Sequence, residues 1–176
     1  MTRIVYRKKA KGYAEELLGF GGVNTYGGKS ASGLKARRLE VLGKRKWQDF
    51  DRVACNRFIS GDVRSVFESH GVEAEYYPVT TDAGFSPFLF VPLSVQSVID
   101  PENSKLDTDH FLRELPGVDV IAARFKHIKN EPPLYLDMDA GLILVRDDLA
   151  REIESRKFSG VSLVPEGVDN TGLMKW

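Results

Sequence analysis

One short pattern is written twice in this chain, and it constrains the fold more than any other feature. FISGDVRSVFESHGVEAEYYP runs from Phe58 to Pro78, and ILVRDDLAREIESRKFSGVSLVP runs from Ile143 to Pro165. The first copy opens on apolar Phe58 and Ile59. Ser60 then offers a side-chain oxygen as N-cap, and Asp62 falls in the first turn, where the helix dipole favours negative charge. Val63, Val66 and Phe67 recur at i, i+3 and i+4, which is one apolar helical face. Gly71 is a natural C′ residue, and the run to Val79 reads as a strand that Pro78 ends or marks as an edge. In the second copy Leu142 to Val145 is a strand end, Asp147 is the expected cap, and Leu149 and Ile153 share a face. Gly160 then opens Val161–Pro165. The offset is 86 residues through Ser69 and Ser155, and 87 through Pro78 and Pro165. Each copy is therefore a strand–helix–strand unit. Two are too few for a solenoid, which needs about three.

Between the copies, Phe88 to Leu93 reads as a buried strand, with Val95, Val98 and Ile99 continuing the apolar pattern to the turn at Asp100-Pro101. Val118 to Phe125 is a further apolar run, Leu134 to Leu136 is expected to pair near it, and Asn130 to Pro133 is a loop. Arg3 to Arg7 is a short strand. Strands dominate and short helices are inserted. The fold class is α+β, a mixed or antiparallel sheet carrying two similar strand–helix–strand units. A basic, glycine-rich segment over 1–46 precedes the main α+β body over 47–176, the whole forming one compact domain.

Composition narrows function. The chain is 42% hydrophobic and 28% charged, as a water-exposed domain with a real core requires. No apolar run reaches the length of a membrane span, and no apolar stretch follows the basic residues near the start as a secretory signal would. The lone Cys55 has no internal disulfide partner, which fits the reducing cytoplasm. Net charge is zero but polarised: residues 1–57 carry 14 Lys/Arg against 5 Asp/Glu, and residues 58–176 carry 11 against 20. Such a split fits a nucleic-acid partner for the basic end, a basic partner for the acidic end, or attraction between the halves.

Several catalytic and ligand motifs come near without being completed. Gly28-Lys29-Ser30 supplies the end of a phosphate loop, but that motif needs glycine where Val23 stands, and a helical AEELLGF precedes it in place of a strand. Gly19 to Gly33 therefore reads as a loop. His70, His110 and His127 are too scattered for a zinc site. Asp107, Asp109 and His110 read as an acidic loop, and Asp137-Met138-Asp139-Ala140-Gly141 as a turn between strands, because the rest of a calcium frame is missing. Cys55 is best read as a small buried hydrophobe. No cofactor, metal or catalytic residue is assigned, and the expectation is a protein that is not an enzyme. An enzyme with an unrecognised site is one alternative. Another is a nucleic-acid-associated protein using residues 35–57, with Trp47 and Phe50 stacking on bases beside the Lys and Arg of KARRLEVLGKRKW.

Three blocks, Ile59–Val79, Val98–Lys105 and Leu134–Pro165, resemble in order a bacterial polymorphic-toxin immunity family, immunity-protein family eleven, formerly a domain of unknown function. The resemblance spans roughly residues 47–165. It departs from the family at Leu163, where an aromatic is usual, and residues 1–46 match none of its blocks. It implies a cytoplasmic protein that binds a cognate toxin and occludes its active site. On this reading, partner contact is led by the carboxylates bunched at Glu73 and Glu75, Asp107 and Asp109, and Asp137 and Asp139, with Tyr76, Phe85 and Tyr135 as aromatic anchors wherever they reach the surface.

Overall fold

The computed structural model describes residues 2–6, 38–39, 47–53, 56–82, 84–107, 119–137 and 141–169. The N-terminal part holds strands β1 (Thr2–Tyr6), β2 (Arg38–Leu39), β3 (Phe50–Val53) and β4 (Asn56–Ile59), then helix α1 (Gly61–Ser69). Next come β5 (Ala74–Pro78), β6 (Thr80–Thr81), β7 (Phe88–Pro92), β8 (Val95–Gln96), β9 (Lys105–Asp107) and β10 (Asp119–Ala122). The chain continues through β11 (Leu134–Asp137), β12 (Ile143–Val145), α2 (Asp147–Arg156) and β13 (Val161–Pro165). This is the expected α+β architecture, and both repeated stretches are strand–helix–strand units.

Sheet topology shows how alike the units are. One sheet runs β3-β4-β7-β5, and the other runs β13-β1-β12-β11-β8. In the first, β7 lies between β4 and β5 and is antiparallel to both, so Phe88 faces Ile59 on one side and Pro78 on the other. In the second, β1 lies between β12 and β13 and is antiparallel to both, so Thr2 faces Val145 and Pro165. The outer hairpins correspond as well: Phe50 pairs with Ile59 as Leu134 pairs with Val145. Each unit is thus a hairpin, a helix and a returning strand, with one antiparallel strand inserted. In the first unit the inserted strand β7 follows further along the chain, after the short β6. In the second it comes from the chain's beginning, so Thr2–Tyr6 runs inside the five-stranded sheet. Leu134–Asp137 pairs with β12 and β8, not with the Val118–Phe125 run as expected. The latter forms a separate small sheet with β9.

One core serves both units. Phe50, Ile59, Val63, Val66, Phe67 and Phe90 from the first meet Leu134, Leu136, Ile143, Val145, Leu149 and Ile153 from the second. Strand alternation places the intervening residues on the opposite faces. There Tyr135 and Leu144 pack with Val98, flanked by Phe125, Ile128 and Leu142.

The helix ends differ. Ser60 caps α1 through a 3.4 Å bond from the Val63 amide. In α2 the N-cap position belongs to Arg146, which makes no side-chain cap bond, and the expected cap Asp147 lies in the first turn. Arg146 instead donates from Nε and Nη2 to Asp148 and from Nη1 to the Glu131 carbonyl. After α2 the chain turns at Lys157 (φ 54°) and at Gly160 (φ 81°). A Cβ at Gly160 would lie far inside contact distance of the Phe50 carbonyl, so the turn into β13 admits only glycine.

Candidate functional site

The acidic residues expected to meet a partner do not share one environment. Glu73 is exposed, and its carboxylate accepts a 3.0 Å bond from the Ser94 hydroxyl. Glu75, half-buried two residues on, accepts from the Tyr77 hydroxyl at 2.5 Å. Period-two alternation puts both on one face of the sheet at its β5 edge. Asp107 ends β9 directly opposite Asp119 of β10. Asp109 and Asp139 lie outside the described residues, as do Cys55, His110, the Gly19–Gly33 stretch and most of residues 35–46.

Asp137 is a correction. It was expected on the surface, yet it is fully buried. It is the last residue of β11, on the face that holds Tyr135. Its Oδ2 accepts the amides of Val98 (2.9 Å) and Ile99 (3.3 Å), which leave β8 where the short strand ends. The carboxylate therefore does the work of a neighbouring strand for two buried N–H groups. Its backbone closes the turn as expected, with the Gly141 amide donating to the Asp137 carbonyl at 3.0 Å. Arg57, itself buried, donates to the Gly141 carbonyl from the other unit.

The aromatic anchors also divide. Tyr135 is wholly core, and burial, then Glu131, pushes its phenol upward. Phe85 is half-buried and stacked on Trp47 with centroids 4.7 Å apart. Tyr76 remains at the surface seam between α1 and β5. It stacks on Phe90 at 5.9 Å, and the Arg64 guanidinium lies 5.3 Å above its ring and 4.7 Å above that of Phe88. Arg64 is held there by Glu68 at 2.8 Å. Burial and the nearby Glu68 charge raise the Tyr76 phenol, so it stays a neutral donor. That hydroxyl is sheltered and has no hydrogen-bond partner among the described residues.

The two residues named for base stacking each pack against other aromatic side chains of the fold. Phe50 is 1% exposed and belongs to the shared core. Trp47 packs against Phe85 and edge-on against Phe58.

Sequence reasoning missed a polar cluster where the helices meet. His70 ends α1, and its Nδ1 lies 3.8 Å from Asp148 in the first turn of α2. The Arg146 hydrogen bonds hold the Asp148 carboxyl well below the usual range against a smaller effect of burial. The Arg-Asp-Asp string was readable as helix-start chemistry, but the approach of His70 is a tertiary fact. Among the described residues no group of three His, Cys, Asp or Glu side chains could hold a metal, and no helix is long and apolar enough to cross a membrane.

Fold and surface together define an α+β scaffold of two equivalent units with an acidic sheet edge. No protein-family model matches the chain, and no curated protein matches it.

Proposed function

We propose that this protein is an immunity protein of the cytoplasm, binding a toxin encoded beside it and occluding that toxin's active site without turnover of its own. One observation carries the reading: the residues of the three blocks that resemble immunity family eleven make framework contacts. Ser60 caps α1. Asp100 accepts the Glu102 and Asn103 amides, and Ser104 ties that turn to the backbone of Arg124. Gly160 occupies a place with no room for a side chain. Inhibitors that share a scaffold while each fits its own target need this division, with common residues holding the fold and differing residues meeting the partner. The surplus of carboxylates over residues 58–176, with Glu73 exposed at the β5 edge, favours a basic toxin.

The test is to express the neighbouring gene product alone and together with this chain. Growth arrest that co-expression relieves, with a stoichiometric complex on purification, is the expected result. A neighbour that is harmless, or equally toxic beside the folded protein, would sink the reading.

A further inference from the structure

Among the described residues, the four-stranded sheet ends at β5, whose only strand partner there is β7. The flanking bonds fix which backbone groups face inward. Leu93 donates its amide to the Glu73 carbonyl, and Val79 donates to the Pro87 carbonyl. Odd-numbered residues of this stretch therefore use their backbone groups toward β7, and Ala74 and Tyr76 direct theirs outward, as antiparallel pairing requires. Ala74 faces Pro92, which has no N–H to give, and this agrees with the same phase. Among the described residues, the outward N–H and C=O of Ala74 and Tyr76 have no partner.

This edge already accepts an added strand. Two residues past β5 it continues as β6, and there β2 pairs with it in parallel, Arg38 opposite Thr80 and Leu39 opposite Thr81. Pro78, without an N–H, separates the occupied part from the open part. Edges left open in this way are places where a partner strand can add.

We propose that the Ala74–Tyr76 edge binds an extended, basic segment of a protein partner by strand addition; this rests on the partner reading above and specifies its mode. Charge selects the occupant. Glu73 and Glu75 flank the open groups on one face, and Glu68 stands beside Arg64 and Tyr76 on the other. A second copy adding through the same edge, antiparallel and centred on Glu75, would set that carboxylate against its own counterpart, and like charges directly opposed destabilise a pair. A strand with Lys or Arg at alternate positions would set cations against Glu73 and Glu75. Its intervening side chains would lie along the Tyr76 ring and the Arg64 stem.

The experiment follows backbone amide exchange by NMR in the full-length protein. In the free chain the Ala74 and Tyr76 amides should exchange fast beside slower Glu75 and Tyr77. Adding a short peptide that alternates lysine and valine should slow exchange at 74 and 76 by about tenfold or more. Its glutamate–valine counterpart should not. Ala74→Pro removes an outward donor that the sheet does not use, and Glu73→Lys reverses an exposed charge at the cost of one exposed hydrogen bond from Ser94. Each should abolish the protection, and the second serves if the first does not fold. Three results would overturn the proposal: no protection with the basic peptide, equal protection with the acidic one, or protection in the free chain that grows with protein concentration, which would mark a second copy. Toxin neutralisation is read separately, so failure here leaves the immunity reading to its own test.

Discussion

Asp137 and Glu73 are both carboxylates beside β-strands, and their surroundings make them opposites. Asp137→Ala strips the acceptor from two buried amides, and each orphaned group costs about 1–3 kcal/mol, so a loss of roughly 2–6 kcal/mol is expected in denaturant melts. Glu73→Ala, at an exposed site, should stay within about 0.5 kcal/mol in the same melts. Asp148 gives a pH signature. Its carboxyl is depressed in the folded state, first by the Arg146 hydrogen bonds, so the stability it contributes is full above the unfolded value of about 3.9 and is lost as pH falls toward the folded value. The pair is more than a third exposed, and solvent screening limits the effect to about 1 kcal/mol or less. Asp148→Asn should therefore lower thermal stability slightly at pH 7 and leave a shallower decline through the acid range below about pH 4. A mutant whose acid limb parallels that of the wild type would refute this.

The repeated elements were legible from the sequence because local chemistry determines them. Val63, Val66, Phe67, Leu149 and Ile153 all lie on buried helical faces, as their spacing requires. Phe67→Ala and Ile153→Ala should each destabilise by about 2–5 kcal/mol, since each removes a large side chain from the core that both units share. Losses below half a kcal/mol in chemical denaturation would contradict that packing. Strand pairing was not legible. The partners of β11 are selected by where β8 and β12 arrive, and β1 finds its place through contacts distant in sequence. Nor was the cap of α2 legible: Asp147 has the right chemistry, but Arg146 holds the position because its guanidinium bridges Asp148 and the Glu131 carbonyl. Asp137 was misjudged for a related reason. A carboxylate at the start of a turn ordinarily faces water, and only the route of the Val98–Ile99 backbone makes burial favourable. At the proposed site, the Glu73 and Glu75 edge could be read in advance, whereas the open backbone phase of Ala74 and Tyr76 required the register.

At the scale of the whole molecule, the charge split sets how a partner would arrive. Charge reversal at Glu73 and Glu75 should slow association with a basic toxin most at low salt, with the difference shrinking as ionic strength rises. Stopped-flow rates that ignore both substitution and salt would remove the acidic edge from recognition. The topology has a consequence of another kind, for the order of events during synthesis. The first unit is contiguous from β3 to β7 and can close as soon as it is made. The strand that completes the second unit leaves the ribosome long before either of its neighbours, β12 and β13. At about 5–20 residues per second, Thr2–Tyr6 waits roughly 10–30 seconds for the sheet it belongs to. Limited proteolysis of arrested nascent chains should find this strand cleavable until β13 has emerged and protected afterwards. Until then the growing chain carries a strand still waiting for both of its sheet neighbours, so a window of exposure to aggregation opens during synthesis.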